Sequence, residues 1–227
     1  MVEQISPIAV ALAFLSSCEK TQPNAEFWDW FSENSQEFLE VFESENQEKK
    51  QDDETLRKKN EHSFKVIVER LKTVNPAFSP YIGGSKDELN RNFIITVFGD
   101  AELFDEVDAF VNSAPQIEGW NFIALKSHQT PSPASVIRTG TLEIKLDDAR
   151  FVATTNSGTH DVTIFLHKGI DGDTKGATGF ARTITIDFLG ERLAGTILGE
   201  VQIEGLENVP DDAIPLLEIK AVLEERE

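Results

Sequence analysis

The chain has 227 residues, of which 40% are hydrophobic and 16 are Phe, a composition that supports a folded core and excludes an intrinsically disordered protein. Its 40 acidic residues outnumber its 21 basic residues, and the resulting net charge of -19 repels phosphate backbones and anionic lipids. The composition therefore predicts a protein that binds no nucleic acid. It allows a basic protein as a partner, although solubility alone is the more ordinary explanation of such a charge.

The first recognisable feature is an apolar run from Ile8 to Leu15, followed by Ser-Ser-Cys. The run is too short for a membrane span, but it has the length of the apolar region of a signal peptide. Leu15-Ser16-Ser17-Cys18 resembles a bacterial lipobox, in which the cysteine is acylated and the chain is cut before it. This resemblance implies a signal peptide over residues 1–17, a lipid on Cys18, a polar tether over residues 18–25 and a location at the bacterial cell envelope.

The residues before the apolar run leave a second interpretation open. A signal peptide usually begins with Lys or Arg, whereas MVEQISP contains neither and carries Glu3. In the second interpretation the run is a short buried helix or strand, Cys18 packs in the core as a small hydrophobic residue, and the protein is cytoplasmic. Cys18 is the single cysteine of the chain, so an intrachain disulfide is excluded.

Residues 24–126 predict three helices and three strands. Aromatic residues near helical spacing follow Asn24, a typical N-cap residue, and an apolar stripe from Phe64 to Val74 predicts a second helix that ends before Pro76. Asp100 is predicted to cap the third helix. Strands are predicted over residues 77–82, 92–99 and 119–126, and the middle one is almost wholly apolar, which is typical of a central strand.

The second half follows a linker rich in Ser and Pro at residues 127–135. A strand is predicted over residues 140–146. A hairpin is predicted next, because the segments RFVATT and DVTIFLHK flank NSGTH, in which Asn156 and Gly158 suit a reversal of the chain. Phe180–Glu200 is predicted as one helix because it is longer than a normal strand, and Val201–Leu206 is predicted as a strand.

Both halves thus contain a hairpin, a helix and a strand. The predicted class is α+β, with an antiparallel or mixed sheet and helices mainly on one face. We expect residues 26–227 to form a single domain with two similar hairpin-helix-strand lobes over residues 26–126 and 136–227.

Four segments carry a resemblance to a known family: FWDWF (27–31), GWNFIALK (119–126), LEIKLDDARF (142–151) and TILGE (196–200). Their order resembles that of a family of uncharacterised bacterial proteins, over roughly residues 26–218. Leu125 stands where that family usually has Phe, and no Pro follows Asp147. The family has no assigned activity, so the resemblance implies a bacterial protein and a single structural unit to which the first 25 residues are an addition, and it implies no chemistry.

The sequence lacks the motifs of the common enzyme classes: G-x-S-x-G, the Walker A loop and G-x-G-x-x-G. Its histidines do not stand at the spacing of a zinc site; they are His62, His128, His160 and His167. Asp171-Gly172-Asp173 resembles the opening of a calcium loop, but Lys175 and Arg182 occupy two positions that must supply oxygen ligands. We therefore predict no catalytic residue, no cofactor site and no metal site.

The tryptophans are the remaining candidates for a ligand site. Trp28, Trp30 and Trp120 could stack a sugar or an apolar ligand, although aromatic residues at helix and strand spacing more often belong to the core. Acidic pairs such as Asp147-Asp148 and Asp211-Asp212 could serve in acid-base catalysis. A chain with 40 acidic residues contains such pairs by chance.

Three functions are compatible with this sequence. The first is a non-enzymatic, acidic protein that is tethered to the bacterial envelope through Cys18 and binds a partner such as a basic protein. The second is a cytoplasmic protein that sequesters or neutralises a partner, in the manner of immunity proteins. The third is a hydrolase that uses Asp or Glu side chains in a cleft between the lobes.

Overall fold

The computed structural model describes residues 7–44, 54–84, 90–132, 134–139, 142–166 and 176–225, with side chains described for 23–42, 54–84, 90–132, 134–136, 145–166 and 176–225. These residues form six α-helices, a mixed three-stranded sheet, a mixed four-stranded sheet and a two-stranded ladder. The predicted α+β class is confirmed. The chain divides into two compact units: the first comprises residues 1–97 and 105–124, and the second comprises residues 98–104 and 125–227.

The first unit contains a pair of long helices, α1 (Pro7–Ser44) and α2 (Glu54–Val74), which pack against each other. Asn24 was predicted as an N-cap, but α1 begins at Pro7, so that prediction is wrong. The stretch from Ile8 to Leu15 is rich in Ala and Leu, which are good helix formers, and a helix therefore forms there without a regular apolar stripe. The backbone is helical through residues 18–25, the segment predicted as a tether.

The sheet of the first unit consists of β1 (Ser79–Gly83), β2 (Arg91–Thr96) and β3 (Trp120–Ala124), in that order. β1 and β2 form an antiparallel hairpin, and β3 lies parallel to β2 after a crossover through α3 (Phe104–Asn112). The predicted central position of the apolar strand, β2, is confirmed. Asp100 accepts a hydrogen bond from the Glu102 N–H and caps the short 3-10 helix that leads into α3, as predicted.

The core of the first unit is aromatic. The Phe31 ring is fully buried, and its centroid lies between 5.0 and 6.4 Å from those of seven other rings. These rings come from α1, β2 and β3 and belong to Phe27, Trp28, Trp30, Phe38, Phe93, Trp120 and Phe122. Most of the pairs are tilted or edge-to-face, the arrangement that the charge distribution of aromatic rings prefers.

The second unit has a four-stranded sheet in the order β8-β7-β6-β9. Its strands are β6 (Arg150–Asn156), β7 (Thr159–Phe165), β8 (Leu198–Glu204) and β9 (Ile214–Pro215), and β4 (Val136–Thr139) with β5 (Leu142–Lys145) forms a separate ladder. β6 and β7 form the predicted hairpin. Ser157 and Gly158 adopt positive φ at its turn (50° and 90°), whereas Asn156, which was predicted to do so, is the last residue of β6.

The helices of the second unit are α4 (Ala177–Leu189), α5 (Glu191–Ile197) and α6 (Ile219–Glu224). The prediction of one helix over Phe180–Glu200 is wrong, because Gly190 has a φ of 83° and separates α4 from α5, and β8 begins at Leu198. A side chain at Gly190 would also approach the backbone of His128, at 3.0 Å from its nitrogen. Glycine at this position avoids both the strain of a positive φ and the close contact with the His128 backbone.

Each unit thus contains a hairpin, a helical segment and a third strand, in the order that the sequence predicted. The third strand lies parallel to the second strand of the hairpin, which the sequence did not predict. In the first unit these elements are β1, β2, α3 and β3. In the second unit they are β6, β7, the α4–α5 pair and β8. The buried residues of the second unit are mainly aliphatic, in contrast to the aromatic core of the first.

The central position of Phe31 makes the first unit sensitive to its loss. We expect Phe31→Ala to lower the free energy of unfolding by about 3–5 kcal/mol, since it leaves a cavity among packed rings. Phe64→Ala, on α2, is the control, because Phe64 is 39% exposed and its loss should cost less than about 1 kcal/mol. Urea unfolding followed by circular dichroism measures both values, and equal losses would contradict the central role of Phe31.

Candidate functional site

Cys18 lies in the first half of α1, in the part of the helix whose side chains are not described. The predicted signal peptide at residues 1–17 and the lipid on Cys18 therefore stay predictions. No helix within the described residues has a stretch long and apolar enough to cross a membrane.

Trp28 and Trp120 lie in the aromatic core, where protein atoms cover their rings. They are 2% and 4% exposed. The Trp28 Nε1–H lies within hydrogen-bond distance of the Phe110 carbonyl (3.1 Å) and the Ser113 hydroxyl (3.2 Å), and the ring stacks on Phe110 at a centroid distance of 4.7 Å. The Trp120 Nε1–H donates to the Ser35 carbonyl at 3.3 Å. Neither ring presents an open face on which a ligand could stack.

Trp30 differs from the other two tryptophans because its side chain is half-buried. The Arg70 guanidinium of α2 lies 5.3 Å from the centre of the Trp30 ring, within the range of a cation-π interaction. The exposed side of this ring is thus already covered in part by a cation from the neighbouring helix.

The outer face of α1 carries a row of carboxylates, which we call the acidic face: Glu26, Asp29, Glu33, Glu37 and Glu40. All of these residues are exposed, and each lies three or four positions after the one before, so they line one side of the helix over about 21 Å. Among the described residues, Asp29, Glu33 and Glu37 have no salt-bridge partner. Like charges at this spacing destabilise a helix, so helix stability does not explain the row.

A groove of about 790 Å³ lies where α3 leads into β3. Its lining residues are Asn90, Val111, Asn112, Ala114, Pro115, Gln116, Ile117, Glu118, Trp120, Asn121 and Phe122. We call it the carboxamide groove, because the side chains of Asn90, Asn112, Gln116 and Asn121 bring both hydrogen-bond donors and acceptors to its wall. Asn112, Gln116 and Asn121 are exposed.

Two hydrogen bonds order part of this wall. The Asn90 side-chain amide donates to Asn121 Oδ1 at 3.0 Å, and the Asn121 amide donates to Asn92 Oδ1 at 3.1 Å. A carboxamide has two N–H donors and two acceptor lone pairs. Asn121 uses one of each in this chain and keeps one of each for water or a ligand.

Glu191, the first residue of α5, is the single fully buried carboxylate among the described residues. Its Oε1 accepts the Gly99 N–H at 3.1 Å, and its Oε2 accepts the Lys126 N–H at 3.0 Å. The residues before these donors, Phe98 and Leu125, have φ values of 53° and 63°. A positive φ costs a residue other than glycine about 1–2 kcal/mol, and the two hydrogen bonds to the buried Glu191 side chain offset that cost. Glu191 is thus explained by the fold.

The described histidines also have structural partners or lie on the surface. His160 is buried in β7 beside the Thr155 hydroxyl at 3.2 Å, and His128 contacts the Phe188 carbonyl. His62 is exposed on α2. His167 lies outside the described residues, as do residues 171–173, which resemble the opening of a calcium loop. Within the described part of the chain no group of three or more His, Cys, Asp or Glu side chains is placed to hold a metal ion.

No protein-family model, curated protein or solved structure matches this chain at a significant level. The resemblance of FWDWF and the other three segments to a bacterial family therefore stays a prediction. The acidic face and the carboxamide groove rest on geometry alone. The sequence revealed the acidic composition but not the groove, because Asn90 and Asn121, which meet in its wall, are 31 positions apart in the chain.

The role of Glu191 in the second unit can be tested by substitution. In Glu191→Gln the side-chain NH₂ replaces one acceptor, so one of the two backbone N–H groups loses its partner, and we expect a loss of about 1–3 kcal/mol in unfolding free energy. Glu200→Gln is the control, since Glu200 is exposed on β8 and its change should stay within about 0.5 kcal/mol. Thermal and urea unfolding compare the two variants. An unchanged stability of Glu191→Gln would contradict the role of Glu191 as the acceptor of both backbone N–H groups.

Proposed function

We propose that this protein is a non-enzymatic, acidic binding protein of the bacterial cell envelope, that a lipid on Cys18 tethers it, and that its acidic face receives a basic protein partner. The observation that carries this proposal is the acidic face itself. Its carboxylates are aligned and exposed, and they lie on the side of α1 opposite the buried aromatic residues.

Charge supports a basic partner in two ways. The net charge of -19 creates a long-range attraction for cationic proteins, which raises association rates at low salt. The acidic face adds a local match, because a partner that places Lys or Arg side chains along α1 would relieve the repulsion between Asp29, Glu33 and Glu37. Such binding weakens as salt screens the charges.

The lipid anchor is supported by sequence pattern. Leu15-Ser16-Ser17-Cys18 supplies the Leu, the small residues and the thiol of a lipobox, and an apolar run precedes them. In this proposal Cys18 becomes the first residue of the mature chain, and the acidic face starts eight residues later on the same helix.

A second candidate has the same binding surface in the cytoplasm, where the protein would sequester a basic partner. The acidic face supports this candidate equally, because its attraction for a basic partner does not depend on a lipid anchor. The two candidates differ in whether Met1 is retained and whether the protein fractionates with membranes.

Substitution of the cysteine separates the two locations. We expect Cys18→Ser to abolish palmitate labelling in a bacterial host and to move the protein out of the membrane fraction. Ser17→Ala is the matched control, since a small residue before the cysteine is retained and labelling should persist. A wild-type chain that takes up no label and keeps Met1, as read by mass spectrometry, contradicts the anchor and favours the cytoplasmic candidate.

Neutralisation of the acidic face tests the partner. The triple variant Asp29→Asn, Glu33→Gln, Glu37→Gln should bind a decalysine peptide several-fold more weakly, as measured by calorimetry at low salt. It should also unfold at a higher temperature, because two repulsive i,i+4 pairs are removed at about 0.2–0.5 kcal/mol each.

The control for this variant removes the same charge elsewhere. Asp147→Asn, Asp148→Asn and Glu200→Gln neutralise three exposed acids of the second unit and reduce the net negative charge by the same amount. If both triple variants lose the same affinity, the attraction comes from net charge, and the assignment to the acidic face is refuted.

A further inference from the structure

We infer that the outer edge of β3, together with the carboxamide groove beside it, binds an extended segment of a basic polypeptide as an added strand of the first sheet. This site is separate from the acidic face. It shares with the proposed function only the basic character of the partner.

Within the described part of the chain, one edge of the β3 backbone is unpaired. The Arg91 N–H donates to the Gly119 carbonyl at 2.8 Å, and the strands run in parallel register. In a parallel ladder alternate residues direct their N–H and C=O groups to the same neighbour, so Asn121 and Ile123 pair with β2, whereas Phe122 directs both groups away from it. Among the described residues no strand pairs with β3 on that side.

The other outer edges of the three- and four-stranded sheets carry features that discourage an added strand. In β1, Pro80 occupies an outward position and supplies no N–H. β9 has only two residues, one of which is Pro215, and β8 carries the exposed Glu200. β3 reads WNFIA and contains no proline and no charge. Natural sheets usually protect a free edge by such devices, and an unprotected one is suited to strand addition.

The carboxamide groove supplies the second half of the site. It runs beside Trp120, Asn121 and Phe122, and its volume of about 790 Å³ leaves room for the side chains of an added strand. The exposed carboxamides of Asn112 and Gln116 can donate to and accept from a peptide backbone, which carries one donor and one acceptor per residue.

Charge selects a basic segment over a second copy of the chain. Glu118 is the one charged residue among those that line the groove. The chain as a whole carries a charge of -19, so two copies repel each other and a cationic segment is attracted.

The experiment uses the full chain and a fluorescein-labelled octapeptide of four Lys-Val repeats, with fluorescence anisotropy as the readout. The control peptide has the same sequence with every backbone nitrogen methylated, so its charge is kept and its N–H donors are removed. We expect the affinity of the methylated peptide to be lower by at least about tenfold, since several main-chain hydrogen bonds are lost.

Amide hydrogen exchange by NMR locates the peptide. The Phe122 amide should become protected when the unmethylated peptide binds. The Ile82 amide is the matched control, since it points outward from the β1 edge of the same sheet and should be unchanged. Asn112→Ala with Gln116→Ala should weaken binding several-fold without changing the melting temperature, whereas Gln202→Ala, at an exposed position of β8, should change neither.

The outcomes separate this inference from the proposed function. Equal affinity of the two peptides, protection at Ile82 instead of Phe122, or no saturable binding overturns strand addition. Binding of maltohexaose at Phe122 without peptide binding also overturns it and assigns the groove to saccharides. If the acidic-face triple variant weakens both peptides equally while methylation has no effect, the proposed function stands and the strand site fails.

Discussion

The packing of α1 against the first sheet is the constraint on which the rest of the first unit depends. Phe31 is fully buried at the centre of this contact, and rings from β2 and β3 surround it. Once one side of α1 is buried in this way, the helical repeat obliges the opposite side to face water. The positions of Asp29, Glu33 and Glu37 on the exposed side therefore follow from the same periodicity that places the aromatic residues inside.

The same packing leaves β3 at the edge of its sheet. The Trp28 indole bonds to the C-terminal end of α3, which fixes the end of the crossover that leads into β3. β3 then enters beside β2 in parallel register, and the segment between α3 and β3 forms the wall of the carboxamide groove. The groove is thus a consequence of the crossover, since a tight hairpin between antiparallel strands would leave no such wall.

Periodic apolar patterns made the class and the order of elements predictable, including the central position of β2 and the hairpin-helix-strand sequence of both units. Boundaries failed where a local signal was ambiguous. Asn24 is a good cap residue, yet the Ala- and Leu-rich segment before it also forms helix, so the helix does not begin there. Gly190 divides α4 from α5 through a positive φ, which a pattern of hydrophobic residues does not encode.

The burial of Glu191 and the carboxamide groove could not be predicted from a single sequence, for a related reason. Glu191 is buried because its carboxylate meets the Gly99 and Lys126 N–H groups, which are 92 and 65 positions away. No local signal distinguishes it from the other acids of the chain. The carboxamide groove likewise depends on the meeting of Asn90 and Asn121, and neither residue is unusual in its own segment.

Net charge and the open edge of β3 are best understood together. A strand without proline or charge at a sheet edge favours pairing with another copy of itself, which leads to aggregation. A chain with a charge of -19 opposes that pairing through long-range repulsion, while it leaves the same edge accessible to a cationic segment. In the strand-addition proposal the acidic surface would thus select between occupants of an edge whose backbone hydrogen bonds accept either one. Specificity of this kind resides in the repulsion of the wrong partner as much as in contacts with the right one.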